Sequence, residues 1–220
     1  MRIGTLVTPI ARRRPWKLAR ETVSVDRISG GRLTLGVGLG DPVQWDYGFF
    51  GEETDAKIRA QKLDEGLDIL KGLWTGQPFS YNGAHFKLNE VTFRPTADIP
   101  IWVGGNWDKR APQRRAARYE GYHPLKWGSP LTPEEWRGIM SYINSQRTSD
   151  TPFDWVHGGT TPGDDPKKAR KAVRPYADIG ITWWIEAASP FDFGWNWEKP
   201  LTAEATEMTD KRIRQGPPSL

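Results

Sequence analysis

The sequence predicts an α/β fold, a (β/α) barrel of the eight-unit TIM type in incomplete form, and three observations carry that expectation. Six short apolar stretches, at residues 3–7, 33–39, 101–104, 121–125, 154–157 and 182–186, are each followed by a helical pattern. Strict alternation of this kind places the strands in one parallel sheet with right-handed crossovers. Closing such a barrel takes eight units and about 250 residues, whereas this chain offers six units within 220 residues. The third observation is the stretch 31–41, Gly-Arg-Leu-Thr-Leu-Gly-Val-Gly-Leu-Gly-Asp. In a strand, Leu33, Leu35, Val37 and Leu39 take one face while Thr34, Gly36, Gly38 and Gly40 take the other. A face so bare invites the close approach of a planar ring or of neighbouring backbone. It does not spell the dinucleotide fingerprint, because Asp41 stands where the third glycine is required.

Taken in order, the first strand ends at Thr8-Pro9, since the residue before a proline is held away from helix. Pro15 suits a first helical turn, and Trp16, Ala19 and Val23 form a stripe that stops at Gly30-Gly31. A loop rich in aromatics (Trp45, Tyr47, Phe49, Phe50) follows the glycine-faced strand. Asp55 then caps a helix with its buried line at Ile58, Leu63, Leu67, Leu70 and Trp74. Asn82-Gly83 predicts a hairpin turn with two positive φ values, and His85 beside it reads as exposed. Residues 99–105, Ile-Pro-Ile-Trp-Val-Gly-Gly, run into Asn106 and a basic helix over 110–119. Free N–H groups and the dipole at such a helix start suit an anion, so this is either a phosphate seat or an ordinary tight turn.

His123 lies in the strand 121–125, and Thr132-Pro-Glu-Glu135 has the form of a capping box. His157-Gly158-Gly159 ends the next strand, Asp165-Pro166 opens a helix closed at Gly180, and a short helix over 203–213 precedes a Gly-Pro-Pro end. Residues 1–200 are expected to form the partial barrel with the binding site, and 201–220 a C-terminal helix and flexible tail.

Composition narrows the function. The net charge is only +4 and 27 acidic residues dilute the basic ones, which argues against a nucleic-acid partner. There is no apolar run long enough for a membrane span and no secretory signal at Met1-Arg2-Ile3. With no cysteine there is no disulfide or thiolate metal site, and the cytoplasm is the expected compartment. No spacing suggests a metal centre, a Ser-His-Asp set or a Walker loop. Arg12-Arg13-Arg14, the one concentrated basic run, is either a solvated loop or an anion contact. Twelve tryptophans suit an aromatic-lined cleft or a core rich in large rings.

The runs Ile-Gly-Thr-Leu-Val-Thr-Pro (3–9), Arg-Arg-Pro-Trp-Lys-Leu-Ala-Arg (13–20), Ser-Gly-Gly-Arg-Leu-Thr-Leu-Gly-Val-Gly-Leu-Gly (29–40) and Ile-Pro-Ile-Trp-Val-Gly-Gly (99–105) together resemble the bacterial luciferase-like, flavin-dependent monooxygenase superfamily. The resemblance runs in order over nearly the whole chain. It implies a TIM barrel that binds FMN or the deazaflavin coenzyme F420 at the C-terminal ends of its strands. On that pattern the first strand here resembles the family's third and the last its eighth, so the family's first two β/α units have no counterpart.

Residue by residue, the resemblance implies that Gly104, Gly105 and Asn106 bind the cofactor phosphate and that Gly36, Gly38 and Gly40 lie along the isoalloxazine. Leu6 and Val7 match a non-prolyl cis peptide bulge behind the ring, with Thr8 at the rim. Asp41 falls where F420-using relatives carry an acidic residue near the reactive centre, although a short carboxylate on a loop also reads as a turn residue. His157 and Gly158 stand at a strand's C-terminal end, where barrel sites are built; an imidazole there can hydrogen-bond a flavin or move a proton. The chemistry expected is oxidation or oxygenation of a small organic substrate, using reduced FMN with O₂ or F420 hydride exchange. The alternative is a non-catalytic flavin-binding or oligomeric scaffold. Two sheet edges left open by the missing units make a homodimer the expected assembly.

Overall fold

The first two strand patterns become β1 (Ile3–Pro9) and β2 (Leu33–Gly38) in the computed structural model, which describes residues 1–196 and 198–217. Between them runs α1 (Pro15–Ser29), opened by Pro15 and closed by Gly30 in the left-handed region at φ 71°, the backbone that glycine adopts without a Cβ penalty. A short helix α2 (Val43–Asp46) then leads to α3 (Ala56–Trp74), whose first N–H groups, on Lys57 and Ile58, donate to the Asp55 carboxylate. The hairpin strands β3 (Pro78–Asn82) and β4 (Lys87–Thr92) form a separate antiparallel pair.

The barrel sequence resumes with β5 (Ile101–Asn106), α4 (Arg110–Ala116), β6 (Gly121–Leu125), α5 (Pro133–Gln146), β7 (Asp154–Gly159), α6 (Pro166–Ala177) and β8 (Trp183–Glu186). A last helix, α7 (Ala203–Arg214), ends the chain; residues 218–220 of the anticipated tail lie outside the described residues. The strand order is β1-β2-β5-β6-β7-β8 with every neighbouring pair parallel, as the alternation predicts.

Leu33, Leu35 and Val37 of β2 and Ile101 and Val103 of β5 face the helices and share one core with Leu63, Leu67, Leu70 and Trp74 of α3. The opposite face turns inward. At its N-terminal end Trp102 lies 5.3 Å from Trp183, and its indole N–H donates to Asp154 at 3.1 Å. Arg2 closes the ring of contacts, 3.8 Å from Asp154 and 5.6 Å from the Trp183 ring. The two edge strands therefore approach one another at this end, and the sheet is a curled, incomplete barrel. Trp74 and Trp136 are core residues while Trp45 and Trp127 are exposed, so the tryptophans serve both purposes that their number allowed.

Two local expectations are corrected. The Asn82-Gly83 turn has no positive φ at either residue. Glu65 of α3 accepts the N–H groups of Ala84, His85 and Phe86, and the Gly83 N–H donates to the Phe86 carbonyl. That carboxylate holds a wider loop than a two-residue turn would form. The basic helix ends at Ala116 instead of Tyr119, because Arg118 and Tyr119 donate three residues back, to Arg115 and Ala116, a tightening that turns the chain into β6. The glycine face of β2 is covered in the fold, and all six residues of the strand are buried.

Candidate active site

What covers that glycine face is β1. Its register with β2 slips between Thr5 and Thr8, and the Leu6–Val7 peptide within the slip is cis. A Cβ at Gly36 would lie 2.0 Å from the Thr5 carbonyl oxygen, one at Gly38 2.9 Å from Val7 Cγ2, and one at Gly104 2.6 Å from Val7 Cγ1. The three glycines make room for the bulge, which is the neighbouring-backbone solution to a bare strand face. Leu6, the crest of the bulge, is 42 % exposed and offers an apolar platform. Thr8 is buried just beyond it and donates to the Thr5 hydroxyl at 2.9 Å.

Gly40 sits at φ 83°, where a Cβ would meet Asp46, Pro9 and Tyr47; it is the turn that carries the chain from β2 into the aromatic loop. Arg59 braces that turn. Buried on α3, it donates to the Leu39 carbonyl at 3.0 Å and the Gly40 carbonyl at 3.3 Å, with its guanidinium 4.8 Å from the Tyr47 ring. Tyr47 donates to the same Leu39 carbonyl at 2.8 Å, and burial pushes its phenol pKa up. Arg12 covers the other side, 5.5 Å from the Tyr47 ring and ion-paired with Asp46 and Glu52. Of the basic run, this one arginine is thus tied into the loop. Asp41 follows the braced turn, faces solvent and begins a cis Asp41–Pro42 peptide. Trp45 and Phe49, both exposed, meet edge to face at 5.0 Å in the same loop.

On β5, Gly105 is packed by Pro112, and Asn106 stands exposed at the strand's end, its carbonyl accepting from Lys109. Beside Gly104 in register is His123 of β6. Its Nδ1 lies 3.1 Å from the Val156 carbonyl; a carbonyl only accepts, so Nδ1 carries the proton and Nε2 keeps its lone pair. Burial lowers its pKa and favours the neutral form. A Cβ on Gly158 would touch His123 Cε1 at 3.2 Å, so the glycine leaves space beside the imidazole. His123, His157, Gly158, Lys126 and Leu131 line a cavity of about 110 Å³ at the ends of β6 and β7. Lys126 is fixed there by Glu135 at 2.6 Å, the same carboxylate that completes the capping box of α5.

His157 alternates to the helix side of β7. Its Nδ1 accepts from the Trp136 indole at 2.8 Å, and its ring stacks on Tyr176 at 4.0 Å and lies 4.9 Å from Trp184. It is 2 % exposed, and its Nε2 is buried without a partner. Burial, with a smaller push from His123, lowers its pKa to about 4. The structure therefore gathers Leu6, Val7, Gly36, Gly38, Gly104, His123 and Gly158 into one strip at the C-terminal ends of the strands. It leaves the His157 ring between that strip and helices α5 and α6. Sequence reasoning did not find Arg59, because an arginine beside an apolar helical stripe carries no mark of which way it folds.

The family model for luciferase-like monooxygenases matches residues 1–215. The chain belongs to the luciferase-like monooxygenase family. An F420-dependent glucose-6-phosphate dehydrogenase of Gordonia bronchialis is 32 % identical over an alignment of 269 residues, covering 95 % of this chain and 80 % of the relative. That alignment is longer than the chain, so part of the relative's extra length lies inside the matched region. Several other curated relatives are matched over less than half their length, 41 % and 36 % in two cases. Among solved structures, an F420-dependent secondary alcohol dehydrogenase in complex with an F420-acetone adduct superposes with a TM-score of 0.61 at 17 % identity, covering 99 % of this chain and 65 % of the other. The FMN complex of the oxygenating constituent of a Pseudomonas putida 3,6-diketocamphane monooxygenase gives 0.52 at 18 % identity, covering 79 % and 52 %. These likenesses place the curled sheet among the barrels of this family, as the motif pattern led us to expect.

Proposed function

We propose that this chain is an oxidoreductase that binds F420, or FMN in its place, and acts with it on a small organic molecule. The observation that carries the proposal is the strip in which Gly36, Gly38 and Gly104 are covered by Leu6–Val7 at the strand ends, in a chain whose residues 1–215 the family model matches. The strip fits a planar ring: its floor is filled by the Val7 side chain, and its upper side is the exposed Leu6. Gly104, Gly105 and Asn106 would then take the phosphate, with Gly158 and its neighbours on the far side. F420 is placed first because the relative from Gordonia, similar over nearly all of this chain, is named for it.

The bound cofactor supplies hydride exchange, or oxygen activation in the FMN case. The chain's own residues position and protonate. Asp41, on the solvent side of the braced turn, is the candidate acid or base, and neutral His123 offers Nε2 as a hydrogen-bond acceptor. His157, enclosed by three aromatic rings, holds the wall of the cavity beside His123, with its Nε2 unpartnered there. The exposed outer side of β1 is consistent with a second copy of the chain in the working assembly, in the cytoplasm.

Replacing Leu6 by Glu tests the platform. An exposed site tolerates the change, so the melting temperature is expected to hold while cofactor affinity falls at least about tenfold, the value of one buried leucine side chain and more. Unchanged affinity would remove the ring from this face. Tight cofactor binding by the wild type with no turnover of any small alcohol, aldehyde or sugar phosphate would favour the scaffold alternative.

A further inference from the structure

Helix α7 is polar along most of its length, yet it drives one charged side chain into the interior. Arg212 is 8 % exposed. Its Nε donates to the Thr161 carbonyl at 3.2 Å, Nη1 to the Gly216 carbonyl at 2.7 Å and Nη2 to the Thr161 hydroxyl at 3.1 Å. Nη2 also lies 3.1 Å from Glu186 Oε1. Glu186 is the last residue of β8, and its carboxylate in turn accepts from the Thr161 N–H, the Thr161 hydroxyl and the Trp184 indole N–H. Every group in this cluster is paired, the condition under which a buried charge pair is tolerated.

The target of the cluster is a loop. Thr161 belongs to the segment 160–165 between β7 and α6, which follows Gly158 and Gly159 at the end of β7. Gln215 presses on the same segment, for a Cβ at Gly163 would lie 2.0 Å from its Oε1. A loop of sequence Thr-Thr-Pro-Gly-Asp-Asp has little apolar surface with which to fix its own shape. Its order is imported from α7 and from β8.

We propose that α7 is a strap that holds the β7–α6 loop in the shape that meets the cofactor, with Arg212 as its anchor and as a positioning residue for binding. The proposal rests on the assignment of the strand ends as the cofactor face. A planar five-donor fork is what the site uses, so lysine at the same position keeps the charge but loses the pattern.

The test compares the full chain with Arg212→Met, Arg212→Lys and Glu186→Gln, by amide hydrogen exchange and by titration with F420 and with FMN. In Arg212→Met the amides of Thr160, Thr161 and Gly163 are expected to exchange about tenfold faster while those of β2 and β5 keep their rates, and cofactor affinity is expected to fall about tenfold. Arg212→Lys is expected to recover only part of either change. If Arg212→Met does not fold, the isosteric Glu186→Gln gives the same pattern at smaller amplitude. Uniform acceleration of all amides, or unchanged exchange at 160–163, would overturn the strap. Faster loop exchange with unchanged cofactor affinity would overturn its role in binding. Failure of the wild type to bind either cofactor would instead defeat the proposed function, and the exchange results would then decide on the strap alone.

Discussion

At the scale of single residues, the glycines of β2 separate two demands that the sequence states in one pattern. Gly36 has no room for a side chain, since the obstacle 2.0 Å away is the Thr5 backbone carbonyl, which cannot step aside. Gly36→Ala is expected to cost about 2–3 kcal/mol. Gly138, exposed in the middle of α5 with nothing within 4 Å of a Cβ, is the opposite case, and Gly138→Ala is expected to stabilise by about 0.5–1 kcal/mol. Urea unfolding of both variants checks the pair. His157 provides a pH test. The unfolded chain takes up its proton near 6.5 and the folded one near about 4, so protonation favours unfolding. This contribution is fully present above pH 6.5 and is lost as pH falls toward 4, by about 3 kcal/mol. His123 adds a loss of the same sign, so melting curves of His157→Gln should show a shallower acid slope and not a flat one.

Secondary-structure elements show what was legible and what was not. Strand and helix positions could be read because alternation, Asp55, the Thr132–Glu135 box and Asp165 are local signals, and the structure uses each of them as a cap or a boundary. The hairpin loop could not, because its shape is decided by Glu65, far away in sequence. The same holds for the filling of the glycine face: the pattern said that something approaches, while only the fold shows that Val7 does. The helix-side orientation of His157 follows from strand alternation once the register is known, and the register is a property of the neighbouring strands. Arg59 marks the limit of sequence reading, since its partners are backbone carbonyls at the end of another element. Arg59→Met leaves those carbonyls without their charged donor and is expected to cost about 2–3 kcal/mol, with faster amide exchange over residues 40–47. A normal melting curve and unchanged exchange would show that the turn holds itself.

For the whole molecule, the curled sheet sets its ends to different tasks. The N-terminal end is packed by Trp102, Trp183, Arg2 and Asp154, which hold edge strands β1 and β8 toward each other. The C-terminal end carries Leu6, Asp41, Asn106, His123 and Gly158, the residues on which binding is proposed to depend. This polarity, closed below and chemical above, is that of a barrel enzyme, here built from six parallel strands. Titration of the purified chain with F420 and with FMN, followed by absorbance and by quenching of cofactor fluorescence, tests the central claim most directly. Saturable binding with micromolar or tighter affinity for one of the two, weakened by Leu6→Glu, is the predicted result; no saturable change with either cofactor would contradict it.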